Sequence, residues 1–278
     1  LRSLVGSEMC IRDRFYCLVS ALTIKANGQD SLWKIQTTDY HGTYYGATVA
    51  NGGIGILPWK EPFSIRHVML NHVFDSATPQ DVSRVLRGIN PFNLQMQING
   101  QTVNGDNISR WEQCIDMKEA THNTHFTCDG KADVSYSICA LRNLPYAGLV
   151  RVEVVALGDM YLTVSNPIEI PDEYKNIGSK LVNVNVNGND IKIVRTWALS
   201  KYREQKVSAS SAFIYDKNSS VQQQYNGSGQ ISISLKKGEK FFFTLLGAVC
   251  TGRDFIDPYN ESDREVIYGA KEGLTRLM

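Results

Sequence analysis

Short segments of alternating apolar residues, divided by Asn-Gly and Asp-Gly pairs, constrain this chain more than any other feature. Phe92, Leu94, Met96 and Ile98 alternate and then meet Asn99-Gly100; Asn104-Gly105 follows. Asp129-Gly130 precedes Val134, Tyr136, Ile138 and Ala140, where the alternation resumes. Such pairs accept positive φ at both turn positions, and the resulting twist suits two antiparallel strands. Period-two alternation buries one strand face and wets the other, whereas a helix needs a period of 3.6. Val150, Val152, Val154 and Ala156 keep the pattern against Arg151 and Glu153. Further strands are read at 111–117, 120–128, 160–164, 181–186, 191–199, 208–215, 231–235 and 241–249. One-sided antiparallel sheets pack as sandwiches. So many strands exceed an immunoglobulin-sized domain. The expected fold class is all-β, a large two-sheet antiparallel super-sandwich.

Two helices are expected beside the strands. The first covers 78–88, with Thr78 as cap, Pro79 in the first turn and Asp81 at the capping-box position. Val82, Val85 and Leu86 form its apolar stripe, and Gly88 ends it. The second starts at Asp257-Pro258, an N-cap acid followed by a first-turn proline. Val266, Ile267, Ala270, Leu274 and Leu277 recur at helical spacing. Glu261, Asp263 and Glu265 lie early and Lys271 and Arg276 late, as the helix dipole favours. Gly269 and Gly273 weaken this helix, which is expected to run uncapped to Met278. Residues 216–230, DKNSSVQQQYNGSGQ, read as a polar surface loop.

The N-terminal residues are set apart from fold reasoning. Residues 4–14, LVGSEMCIRDR, fit a sequencing-library adapter read through as protein, so 1–14 are taken as an adapter-derived scar. Residues 15–24, FYCLVSALTI, are too short to span a bilayer. With Ala26-Asn27-Gly28 behind them they read as a signal-peptide remnant over 15–28. Export to a periplasm or to the outside is the expectation. The sandwich is then placed at 29–256.

Composition narrows the partners. The chain has 29 basic and 28 acidic residues and no basic patch with interleaved aromatics, so no nucleic-acid partner is expected. No long apolar segment calls for a membrane. Six cysteines become four without Cys10 and Cys17. Cys114, Cys128, Cys139 and Cys250 show no CxxC spacing, which argues against zinc. Disulfides and buried free thiols both stay open for these four.

Residues 44–75, YYGATVANGGIGILPWKEPFSIRHVMLNHVFD, hold a glycine-dense turn, Asn51-Gly52-Gly53-Ile54-Gly55. A dinucleotide fingerprint needs a helix behind its glycines, and Ile56-Leu57-Pro58 forbids one. On the residues alone this is a tight turn between strands. The turn, its proline and the following VMLNHVFD segment resemble the start of glycoside hydrolase family 65. The same ordered resemblance takes in 140–146 (ALRNLPY), 171–175 (PDEYK) and the Asp257-Pro258 helix, and covers about 32–278. Ala50 and Ile54 depart from the commoner GNGxLG form of the turn. The resemblance implies a galactose mutarotase-like super-sandwich, a non-catalytic N-terminal domain of an enzyme cleaving α-glucosides by water or phosphate. It places the catalytic carboxylate in an (α/α) helical barrel further along. It makes 257–278 a linker helix whose stripe packs where the sandwich meets that barrel. Carbohydrate and the barrel are the implied partners.

Candidate chemistry is sparse. Glycoside cleavage needs an acid and a second carboxylate or a phosphate around one bond. Asp172 and Glu173 suit a solvated loop, Asp254, Asp257 and Glu261 a helix start, and none is assigned a catalytic role. The fragment alone is expected to be inactive. His122 and His125 are three apart, which on a strand sets them on opposite faces. Aromatics stack on sugar faces, although they more often pack in cores. Asn51 and Trp59, with Tyr44 and Tyr45 nearby, are set closest to a sugar. No catalytic residue, metal ligand or cofactor is expected. Sequons at Asn107, Asn218, Asn226 and Asn260 carry weight only in a eukaryotic secretory setting. The alternative is a free-standing carbohydrate-binding or mutarotase-like sandwich, which would draw on His41, His67, His72, His122 and His125.

Overall fold

The computed structural model describes residues 30–278 except 45, 77–81, 187, 217–219, 274–276 and 278. The readings made on 1–14 and 15–28, and those on Tyr45 and Asn218, lie outside the described residues.

One antiparallel sheet has nine strands, in the order β1 (Lys34–Thr37), β8 (Ile108–Asp116), β9 (Thr121–Cys128), β10 (Ala132–Ala140), β11 (Ala147–Ala156), β18 (Lys240–Thr251), β15 (Lys206–Tyr215), β14 (Asn189–Ser200) and β13 (Tyr174–Val186). The facing layer is divided. A four-stranded sheet runs β2 (Val49–Ala50), β3 (Ile54–Pro58), β4 (Ile65–Ser76), β5 (Ser83–Arg87). A five-stranded sheet runs β16 (Gln222–Tyr225), β17 (Gly229–Leu235), β12 (Met160–Asn166), β6 (Gln95–Ile98), β7 (Gln101–Thr102). Ile56 and Leu70 from one small sheet, Met96 and Leu162 from the other, and Phe126, Val152 and Phe243 from the large one share a single core. This is the expected all-β super-sandwich. Asn99-Gly100 and Asp129-Gly130 turn the chain with φ of 52° and 81°, and 44° and 64°.

Burial alternates where one sheet face meets water and stops alternating where a helix covers it. On β18, Phe241 and Phe243 are buried and Phe242 is exposed, but every residue from Thr244 to Thr251 is buried. On β15 both faces are buried from Val207 to Phe213. The cover is helix α1 (Pro258–Glu272), lying on β15 and β18. Its N-cap Asp257 accepts from the backbone N–H of Tyr259 and Asn260 at 3.2 Å each. Val266 is fully buried in a second apolar cluster with Leu149, Ile193, Ala212 and Leu246. Gly269 lets helix and sheet approach closely, since a Cβ there would lie 2.7 Å from Leu246 Cδ2. A buried polar network completes the joint. Ser262 Oγ lies 2.8 Å from Ser208 Oγ and 2.9 Å from Ser210 Oγ, and Ser210 Oγ donates to Asp263 Oδ1 at 2.7 Å. Arg195 pairs with Asp263 at 3.4 Å and donates to Asn260 Oδ1 at 3.1 Å.

Three expectations change. The helix expected at 78–88 is not formed in its described part. Ser83–Arg87 is strand β5, with Val85 opposite Phe74 and Arg84 opposite Asp75 on β4. Its intended stripe is split, Leu86 buried but Val82 and Val85 exposed. A short helix is marginal without tertiary packing, and a ladder on β4 satisfies the same backbone groups. The loop expected at 216–230 contains β16, paired with β17 from Gln222 opposite Ser232 to Tyr225 opposite Gly229. The C-terminal helix stops at Glu272, where Gly273 takes φ 80° and its N–H reaches Gly269 O at 3.3 Å, so it does not run uncapped to Met278. Of its stripe, Val266 is fully buried against the large sheet, Ile267 and Ala270 are half-buried, and Leu274 lies outside the described residues. Cys114, Cys128, Cys139 and Cys250 are free thiols.

Candidate functional site

The sequence segments that carry the family resemblance meet in space. The Asn51 amide donates to Leu141 O at 2.7 Å, and its Oδ1 accepts from the N–H of Gly53 at 3.0 Å and of Ile54 at 3.1 Å. Any Cβ on Gly53 would sit 2.1 Å from Pro145 O. The glycine turn between β2 and β3 is therefore docked onto the 141–147 loop, which joins β10 to β11. The 171–175 segment is a second joint. Glu173 accepts from Arg87 Nε and Nη2 at 2.7 Å each, and the Tyr174 hydroxyl donates to Arg87 O at 2.5 Å. Both contacts tie β5 to the start of β13.

Trp59 follows β3 and belongs to a different cluster. Tyr44 meets its ring edge-on, centroids 5.0 Å apart, and the Arg66 guanidinium lies 4.4 Å over its face. Trp59 O accepts from Gln113 Nε2 at 3.0 Å. The Tyr44 hydroxyl lies 3.3 Å from His122 Nε2. Burial pushes the Tyr44 phenol up to about 12 and the His122 imidazole down to about 4, so both are neutral at physiological pH. Beside them is a cleft of about 200 Å³ between β1, β8, β9 and the residues Thr43, Tyr44, Gly46 and Ala47. The structure thus gathers Trp59, Tyr44, Gln113 and His122 into one neighbourhood, while the Asn51 side chain is held in the glycine-turn joint. Gln113 was not singled out from sequence, and His122 only as one of five histidines open to the mutarotase-like alternative. Their signal was their register: Gln113 and His122 fall on the core-facing positions of β8 and β9, where apolar side chains are the rule.

Residues 46–278 match the profile of the glycosyl hydrolase family 65 N-terminal domain. The chain belongs to this family. It is 30% identical over 243 residues to a kojibiose hydrolase of Flavobacterium johnsoniae, covering 84% of this chain and 36% of that protein. A kojibiose hydrolase of Mucilaginibacter mallensis is 27% identical over 269 residues, covering 94% and 40%. The chain therefore spans well under half the length of these relatives. A solved structure of a human-microbiome protein, provisionally designated a kojibiose phosphorylase, matches with a TM-score of 0.65 at 9% identity, over 83% of this chain and 34% of that one. That likeness shows the fold.

In this family 65 domain four of the five acidic candidates have local duties, and Asp172 is exposed. Glu173 holds Arg87, Asp254 accepts from Thr251 Oγ1 at 3.0 Å, Asp257 caps α1, and Glu261 pairs with Arg264 at 2.9 Å. His122 is buried in the core, whereas His125 turns to the other face of the sheet and lies 3.0 Å from Asp133 Oδ1. No group of three or more His, Cys, Asp or Glu among the described residues is placed to hold a metal ion.

Proposed function

We propose that this chain is the non-catalytic N-terminal sandwich of an enzyme acting on α-linked glucosides, whose chemistry lies in an (α/α) barrel outside these residues. One observation carries the reading. Glu173 and Glu261 are held in ion pairs, Asp254 by the Thr251 hydroxyl and Asp257 in the cap of α1, while Asp172 is exposed, so the four committed carboxyl groups are not free to flank a glycosidic bond. Kojibiose is the first substrate to test, because hydrolysis or phosphorolysis of that disaccharide is what the relatives are named for. The free-standing, mutarotase-like alternative would use a histidine pair, and His122 and His125 diverge. Export is part of the proposal, supported by the apolar run at 15–24 and the small residues after it. The test is to assay the full-length gene product on kojibiose with and without phosphate. Cleavage by the full-length protein supports the reading, and phosphate dependence then separates phosphorolysis from hydrolysis. A full-length protein inert on kojibiose, maltose, nigerose and trehalose overturns it.

A further inference from the structure

Asn-Gly pairs can do more than turn strands. The side-chain amide of an asparagine is open to attack by the backbone nitrogen of the next residue, and a glycine there has no side chain to shield that nitrogen. Whether a pair reacts depends on what holds its amide, and the described pairs differ. Asn51 donates to Leu141 O at 2.7 Å and accepts from the N–H groups of Gly53 at 3.0 Å and Ile54 at 3.1 Å. Asn99 Oδ1 accepts from the Tyr161 N–H at 2.8 Å. Asn104 Oδ1 accepts from the Asp106 N–H at 3.0 Å, and Gly105 is packed against the Tyr40 hydroxyl. In all three the carbonyl that must receive the attack is pinned. Asn226-Gly227 is different. It lies in the loop 226–228, which joins β16 to β17 beyond the Tyr225–Gly229 pair and is closed by Asn226 N–H donating to Ser228 O at 3.1 Å. Both residues are exposed, and among the described residues no hydrogen bond engages the Asn226 side chain or the Gly227 N–H. Gly227 takes φ 77°, so the turn itself favours the residue that leaves the nitrogen open.

We propose that Asn226-Gly227 is a self-modifying site at which the chain deamidates, with water as the only co-reactant. The Gly227 nitrogen gives its proton to solvent base and bonds to Asn226 Cγ. The Cγ–Nδ2 bond breaks, and the amide nitrogen leaves as ammonia with a proton taken from water. Water then adds to one carbonyl carbon of the cyclic succinimide. Opening on one side gives aspartate and on the other isoaspartate. Either product sets a carboxylate at the loop tip. Isoaspartate also routes the main chain through the side-chain carbon and so adds a methylene to the loop. β16 is the edge strand of its sheet, held by β17 from Gln222 opposite Ser232 to Tyr225 opposite Gly229. A longer loop offsets that register and loosens β16. The contacts of Gln223 loosen with it: its O accepts from Lys192 Nζ at 3.2 Å, and its Oε1 accepts from the Tyr215 hydroxyl at 3.3 Å. The site stands on this hairpin alone and does not depend on what the parent enzyme cleaves.

The test is to age the full chain at mildly alkaline pH and follow its peptides by mass spectrometry, which reads the gain in mass as amide becomes acid; isoaspartate and aspartate separate by retention. Product is expected at Asn226 first. Asn99 and Asn104 must each release a hydrogen bond before reacting, which at the net worth of an ordinary hydrogen bond makes them about fivefold slower. Asn51, held by more bonds, should be slower still. Asn226→Gln at this exposed position should leave thermal unfolding unchanged and remove the early mass gain. In the aged wild-type chain, hydrogen exchange across β16 should be faster than in the fresh chain, and ageing should make no such difference in Asn226→Gln. Three results overturn the proposal. One is no mass gain at Asn226 while a free peptide of residues 222–230 converts, which means that the hairpin shields the amide. Another is conversion at Asn99 or Asn104 as fast as at Asn226, which means that their hydrogen bonds do not govern the reaction. The last is unchanged exchange across β16 in the isoaspartate form, which means that the strand tolerates the longer loop.

Discussion

Replacing Asn51 separates an architectural role from a sugar-binding one. Its side chain makes four hydrogen bonds, donating to Leu141 O at 2.7 Å and more weakly to Ala147 O at 3.5 Å, and accepting from Gly53 N–H at 3.0 Å and Ile54 N–H at 3.1 Å. Asn51→Ala removes all of them at once. At about 1 kcal/mol net for each, reduced because the site is half-buried and water can reach part of it, the loss is about 2 kcal/mol. For a domain of this size that lowers Tm by about 4–8 °C. Asn51→Asp keeps both acceptors and loses only the amide donor to Leu141 and Ala147, so it should fall between wild type and Asn51→Ala. Thermal unfolding by circular dichroism measures the order, and limited proteolysis at 141–147 should speed up in the same order as the loop undocks. Asn51→Ala within the roughly 0.5 kcal/mol typical of an inconsequential surface change would refute the reasoning. A side chain poised for sugar would show the converse, unchanged Tm with weakened binding.

Gly53→Ala attacks the same joint by bulk, since its Cβ would sit 2.1 Å from Pro145 O. It should cost about 1–3 kcal/mol and be less than additive with Asn51→Ala in a double-mutant unfolding cycle. His122 gives a pH dependence of known sign. Its ordinary value of 6.5 falls to about 4 in the folded chain, so the unfolded state binds more protons between these values. Its contribution is complete above about pH 6.5 and is lost as pH falls towards 4, by up to about 3 kcal/mol. Urea midpoints across that range should fall steeply for wild type and less steeply for His122→Gln. Asp263→Ala strands the Arg195 guanidinium, whose side chain is only 6% exposed, and should cost about 3–5 kcal/mol. Hydrogen exchange should then accelerate across α1 before the strands are affected.

The strands were legible because alternation survives wherever one sheet face meets water. β10 and β11 read directly from Val134, Tyr136 and Ile138 and from Val150, Val152 and Val154, which are now register partners across the pair. β15 was legible as a strand but not as a two-sided one, because its outer face holds Ser208 and Ser210, which reach the helix by hydrogen bonds. The same joint hid the meaning of Gly269. Within α1 it reads as a weak point, and only the Leu246 contact makes it a fitting piece. The 78–88 segment misled because Thr78, Pro79 and Asp81 signal a helix start locally, while the pairing of Ser83–Arg87 with β4 is a tertiary preference that no local pattern encodes. The family segments were legible in order but not in purpose. That ANGGIGI and ALRNLPY touch depends on how the β2–β3 hairpin lies across the β10–β11 connection. The cleft was least legible. Trp59 and Tyr44 could be singled out as aromatics, but the approach of Tyr44 to His122 spans 78 residues of sequence. Its polar floor comes from two strands whose histidine and glutamine look ordinary on their own.

The central claim is that these residues form a folded family 65 sandwich with no glycosidic chemistry of their own. Steady-state assay of the purified chain on kojibiose, with and without phosphate, tests it most directly. The account predicts no release of glucose or glucose 1-phosphate above buffer from a chain that unfolds cooperatively. Turnover proportional to chain concentration, persisting through successive purification steps, would contradict it and would place a working acid among the carboxylates assigned here to caps and ion pairs.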